Sequence, residues 1–156
     1  MIVMAIDPGL SGALAVFIDE VLIAVIDTPT HELTRNGKTK RQISASGLAA
    51  IFRDHKPDHV VVEKVSAMPG QGVTSMFSFG RSFGLIEGVV GAFEIPATYV
   101  MPSVWTKGIG RGVGKDASRA RACELYPAHQ KSFARVKDDG RADAVLIGAW
   151  YLKGNK

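Results

Sequence analysis

"IVMAIDPGLSGALAVFIDEVLIAVID", residues 2–27, contains three short apolar runs separated by turn residues. The first run, "IVMAID", breaks at Asp7-Pro8-Gly9, as a buried strand does where it enters a turn. The next two, "ALAVFI" and "VLIAVID", flank Asp19-Glu20 and predict an antiparallel meander. Downstream, "HVVVE" at residues 59–63 is a continuous β-branched run, the pattern of a strand covered on both faces. "ATYVM" at 97–101 supplies a fifth strand. Between them the periodicity predicts helices: from a cap at Ser44 or Ser46 to about His55, from about Thr74 to Phe93, a short one opening at Pro102-Ser103, from Asp116 to about Leu125, and from about Arg141 to Leu152. The polar, basic stretch "TPTHELTRNGKTKR" at residues 28–41 reads as a surface loop. This order predicts an α/β fold, a mixed five-stranded sheet flanked by helices, as one domain over residues 1–156.

The 156 residues are 46% hydrophobic and 22% charged, a globular composition with enough apolar material for a real core. A net charge of +4 is compatible with a polyanionic partner. The single cysteine, Cys123, excludes an internal disulfide and a cysteine-rich zinc site, and fits a reducing cytoplasm. The opening residues carry no charged leader and do not read as a signal peptide. No apolar run is long enough to span a membrane. Gly80, Gly84 and Gly88 recur every fourth residue along one helix stripe. Each costs roughly 1 kcal/mol against alanine, so the stripe predicts close packing against the sheet or another subunit.

Asp7 ends the first strand and Glu63 the fourth. Asp143 lies in the first turn of the last helix, with Asp139 one turn earlier. Ligand sites in open α/β sheets gather at strand ends. Carboxylates brought together there repel unless a cation neutralises them, and hard oxygen ligands suit Mg²⁺ or Mn²⁺. Singly, each acid has an ordinary reading as turn former, strand end or helix-dipole partner.

"AIDPGLSGALAV", "VVVEKV", "PSVWTKGIG", "KDASRARACELYP" and "DDGRADAVLIGAWYL" together resemble the RuvC family of Holliday-junction resolvases, within the RNase H-like nuclease superfamily. The resemblance runs over nearly the whole chain. It implies an RNase H-like sheet and a crossover-junction endodeoxyribonuclease that hydrolyses phosphodiesters with two divalent ions, Mg²⁺ or Mn²⁺. In such sites one ion activates a water and the other stabilises the departing oxygen. By position, Asp7, Glu63 and Asp143 match the family's metal carboxylates, with Asp7 shared between the ions. Many family members carry an acid three residues before the last Asp; here Gly140 stands there. Asp139, four before, is the better match, and Asp138 is a possible substitute. Lys115 matches a basic position used near the scissile phosphate. The loop "SAMPGQGV" occupies the place where the family probes the junction centre, with Met68 as a candidate wedge. The helix carrying Phe77, Phe79, Phe83, Ile86 and Val90 corresponds to the family's dimer helix, and a homodimer would give a two-fold junction two symmetric cuts.

Lys107, Arg111, Lys115, Arg119 and Arg121 form a basic run that reads as a DNA track beside the acids. Its glycine loop is no nucleotide motif: Ile109 stands where the first Walker glycine belongs, and Asp116 replaces the Ser or Thr. Three other readings stay open. One is a different RNase H-like nuclease, an RNA–DNA hybrid hydrolase or a transposase-type domain. Another is a catalytically inactive junction-binding dimer. The third is a fragment of a sugar-kinase or actin-like ATPase, against which the length and the lack of a second phosphate loop count.

Overall fold

The computed structural model describes residues 1–154. Strands β1 (Ile2–Asp7), β2 (Ala13–Ile18) and β3 (Val21–Asp27) form the meander, and β1 lies at the centre of a five-stranded sheet. A hairpin follows, β4 (Thr30–Arg35) and β5 (Lys38–Ile43), then helix α1 (Ala45–His55) and strand β6 (His59–Glu63). Helix α2 (Val73–Ala92), strand β7 (Ala97–Val100) and helices α3 (Pro102–Gly108), α4 (Ala117–Leu125) and α5 (Asp139–Gly154) complete the order, with short 3₁₀ turns ahead of α5. The sheet runs β3-β2-β1-β6-β7. β1 pairs antiparallel with β2 and parallel with β6, and β6 parallel with β7, so the sheet is mixed.

Two cores sandwich this sheet. Val3, Ala5 and Val61 point into one, filled by α5 with Val145, Leu146 and Ile147. Met4, Ile6, Val60 and Val62 point into the other, filled by Leu48 and Phe52 of α1 and by Ile86 and Val90 of α2. The alternation along β1 and β6 is the period of two that a strand imposes. Full burial of each such Val, Leu or Ile contributes about 1.5–3 kcal/mol before ordering costs are set against it. Ser44 caps α1, its hydroxyl accepting from the Gly47 N–H at 3.0 Å.

Residues 28–41 correct the sequence reading, because most of that stretch forms the hairpin and not a loop. Asn36 and Gly37 both take positive φ, 51° and 71°, the left-handed pair of a tight two-residue turn whose twist matches its strands. The Asn-Gly signal is present in the sequence, but the strands around it are almost wholly exposed and lack the apolar alternation that marks a half-buried strand. The glycine stripe needs a second correction. A Cβ added at Gly80, Gly84 or Gly88 would meet nothing within 4 Å. The stripe therefore does not pack on the sheet; it lies open along α2. The last helix also begins two residues early, which moves Asp143 into its second turn.

Candidate active site

Parity places the first two acids. Asp7 continues the set of Val3 and Ala5, and Glu63 continues that of Val61, so both side chains leave the sheet on the α5 face. The parallel register pairs Ile6 with Val62, which sets Asp7 and Glu63 side by side at the carboxyl ends of adjacent strands. α5 crosses this same face and brings Asp143. The approach is close because Gly140 has no side chain. A Cβ there would collide with the Ser11 carbonyl and lie 3.0 Å from Asp7 Oδ2. Gly12 is required too, since its Cβ would collide with the Asp7 carbonyl.

The electrostatics follow from this crowding. Burial pushes the Asp7 carboxyl well above its ordinary value, and the charges of Asp143 and Glu63 push it further. Glu63 is raised by burial and by Asp143, against the opposing pull of a hydrogen bond from Trp105 and the charge of Arg111. Asp143 is raised by burial and by Asp139, against a hydrogen bond from Ser118 and again the charge of Arg111. Asp7 thus feels both other acids and Glu63 feels Asp143, as carboxylates near one site do.

Three side chains brace them. Trp105 of α3 is buried and donates its indole N–H to Glu63 Oε1 at 2.8 Å. Arg111 lies against the Trp105 ring, 5.8 Å from its centroid, and donates to the Ser118 hydroxyl at 3.0 Å. Ser118 in turn bonds Asp143. The sequence by itself singles out neither Trp105 nor Ser118. A buried indole N–H needs an acceptor, but which one becomes evident only once β7 and α3 fold beside β6.

The other candidates are spread around this centre. Asp139, at 48% side-chain exposure, accepts from Arg119 Nε at 2.9 Å. Arg119 is itself largely buried, at 13% exposure, and is shared with Asp116. Asp138 is fully occupied: both its oxygens accept from Arg135, and it caps the turn that leads into α5. Lys107 is exposed at the end of α3, Lys115 is exposed just before α4, and Met68 is exposed in the loop after β6.

The donor set suits a hard divalent cation: carboxylate oxygens, among them a buried Asp143 Oδ1 that has no hydrogen-bond partner. Among the described residues, no three of His, Cys, Asp or Glu stand in a ready-made cation-binding arrangement, so the three acids adjoin without closing on a common point.

No protein-family model matches the chain. A curated relative, the chloroplastic Holliday junction resolvase MOC1 of Chlamydomonas reinhardtii, is 39% identical over 95 residues, covering 58% of this chain and 10% of the relative. The chain thus spans about a tenth of that relative's length. Among solved structures, T. thermophilus RuvC in complex with a Holliday junction substrate aligns over 98% of this chain and 95% of its own, with a TM-score of 0.65 at 16% identity. Fowlpox virus resolvase with substrate Holliday junction DNA aligns over 99% of both chains, with a TM-score of 0.57 at 16% identity. With a central strand ending in an acid, a parallel neighbour ending in another and a last helix laid across both, the chain is built on the mixed-sheet fold of the RuvC-type resolvases.

Proposed function

We propose that this chain is a divalent-metal-dependent endonuclease that hydrolyses phosphodiester bonds in four-way or related branched DNA. The observation that carries this reading is the meeting of Asp7, Glu63 and Asp143 at one end of the sheet on the α5 face. The relative and the two aligned structures, a Holliday junction resolvase and two proteins bound to junction DNA, support the choice of substrate. Asp7, Glu63 and Asp143 would hold Mg²⁺ or Mn²⁺, with Asp139 joining once Arg119 releases it. Divalent ions bound there supply an acidified water and charge stabilisation for the departing oxygen.

The chain's own residues do the rest. Asp7, which feels the charges of both other acids, would be the shared ligand. Trp105 fixes the Glu63 rotamer, and Ser118 with Arg111 fixes Asp143 while tempering the local negative charge. Lys115, with Lys107, binds backbone phosphate at the approach, and Lys115 also offsets charge that builds on the phosphate. Arg111 and Arg119 join the DNA contact only if their present partners yield. Met68 is placed in the exposed loop that would meet the junction centre. Two copies related by a two-fold axis, meeting over the open glycine stripe of α2, would place two cuts symmetrically. The single free cysteine suits a reducing compartment such as the cytoplasm, and no described helix is long and apolar enough to cross a membrane.

Incubating the protein with four-way junctions, flaps and RNA–DNA hybrids across a Mg²⁺ and Mn²⁺ titration tests the reading. Paired symmetric nicks in the junction are expected; cutting of hybrids alone would assign a different RNase H-like activity. One observation favours a second reading, an inactive junction-binding dimer: the acids are not closed around a cation position, and Asp139 is held by Arg119. Tight junction binding with no cutting at any metal concentration would select it.

A further inference from the structure

We propose that the groove between the β4–β5 hairpin and α2 is a second DNA contact, one that holds the phosphate backbone of a duplex arm leaving the carboxylate site. The proposal rests on the branched-DNA reading above and adds a site outside the five-stranded sheet.

The groove has a cavity volume of about 640 Å³. Arg35, Lys38 and Lys40 line it from the hairpin and Arg81 from α2, and among the described residues no Asp or Glu lines it. Among the described residues none of these four cations takes part in an ion pair. Arg35 and Lys38 also face each other in register at the hairpin tip. Like charges directly opposite destabilise a strand pair, so the hairpin carries a repulsion that a bound polyanion would relieve.

Position and anchorage point the same way. A smaller cavity of about 460 Å³ shares Lys40 and Ser78 with the groove and extends to Gly9, Leu10 and Ser11, in the turn that follows Asp7. The two cavities thus run from the turn after Asp7 to the hairpin. Arg41 donates to the Leu10 carbonyl at 2.8 Å, which ties the hairpin to that same turn and sets its distance from the site. A groove for single strands would offer a row of aromatic platforms; among the described residues Phe77 lines the groove and Phe79 the smaller cavity, which do not make a row. Cations that outnumber the aromatics suit the backbone of a duplex better than a single strand. On α2, Thr74, Ser78 and Leu85 lie roughly a quarter turn from the glycine stripe, while Phe77 and Arg81 stand at its border.

The test compares the wild type with an Arg35→Ala/Lys38→Ala/Lys40→Ala variant that keeps Arg41. Binding of long-armed junctions and of plain duplex is measured in EDTA against salt, and junction cutting is measured separately with Mg²⁺. The variant should bind roughly 10–100-fold more weakly, with a salt slope smaller by about 0.9 for each phosphate it no longer neutralises, roughly 2–3 in all. Its cutting rate at saturating junction should stay within about twofold of wild type. Shortening the junction arms should weaken the wild type and leave the variant indifferent. Equal affinity and equal salt slope would overturn the proposal, as would unchanged DNA binding alongside lost binding of polyglutamate, which would give the groove to an acidic protein partner. A wild type that cuts nothing overturns the nuclease reading alone, because the EDTA measurement still reads the groove. Should the triple variant melt abnormally, Lys38→Glu at the exposed tip carries the same comparison, and Arg35→Lys should retain binding.

Discussion

At the scale of single residues, the role proposed for Asp7 sets function against stability. Its folded-state proton affinity is raised. Between the unfolded value and that higher folded value the native state binds more protons, so metal-free stability falls as pH climbs through the window. Asp7→Asn removes the repulsion. At neutral pH without metal the variant should melt higher, by about 2–4 °C for each kcal/mol relieved, yet cut no DNA while still binding it. Mg²⁺ should raise the wild-type melting temperature and leave the variant's unmoved; calorimetry with and without EDTA reads both. Trp105→Phe is the complementary change. It keeps an aromatic body in place and takes away the N–H that holds Glu63. The Mg²⁺ concentration for half-maximal cutting should rise about 10–100-fold, the usual cost of losing a group that orients a metal ligand. An unchanged metal midpoint would deny Trp105 that role.

Two glycine substitutions separate packing from assembly at the scale of elements. In α5, a Cβ on Gly148 would collide with the Phe17 ring and lie 3.1 Å from the Ala5 Cβ. Gly148→Ala should therefore cost about 1–3 kcal/mol, as overpacking does, visible as a lower urea midpoint. In α2 the same change at Gly84 meets only open space. In an isolated chain Gly84→Ala should stabilise the helix by up to about 1 kcal/mol. If two copies close over the stripe, it should instead weaken their association, which sedimentation at several concentrations would show. The elements also show what the sequence made legible. The strand-end acids are readable because β1 and β6 are continuous apolar runs, and parity alone then aims Asp7 and Glu63 at one face. The hairpin is not, because its residues are polar on both faces and only Asn36-Gly37 marks it. Gly140, standing where the resemblance leads one to expect an acid, makes sense only with α5 pressed against the Ser11 carbonyl. The bracing of Glu63 and Asp143 is equally hidden, since Trp105 and Ser118 reach the acids from different helices.

For the molecule as a whole, Arg141 ties the last helix back to the meander. It donates two hydrogen bonds to the Asp27 carboxylate, at 2.6 and 2.7 Å. That bond is the main reason Asp27 sits below its ordinary value of 3.8. The sign is opposite to that of Asp7. The stabilisation is fully present above the unfolded value and is lost as pH falls through the lower folded one. Asp27 is largely exposed, so the effect is small, at most about 1 kcal/mol. Asp27→Asn should flatten the acid limb of a melting-temperature profile below about pH 4 and leave the profile above it parallel to wild type.

The acids stand at positions 7, 63 and 143 and come together only when α5 lies down across the sheet. A chain emerging from the ribosome can finish its meander, and even pair β1 with β6, while still lacking the side chain that completes the trio. On the proposed reading, a chain in which α5 has not yet formed would be unarmed toward the DNA around it.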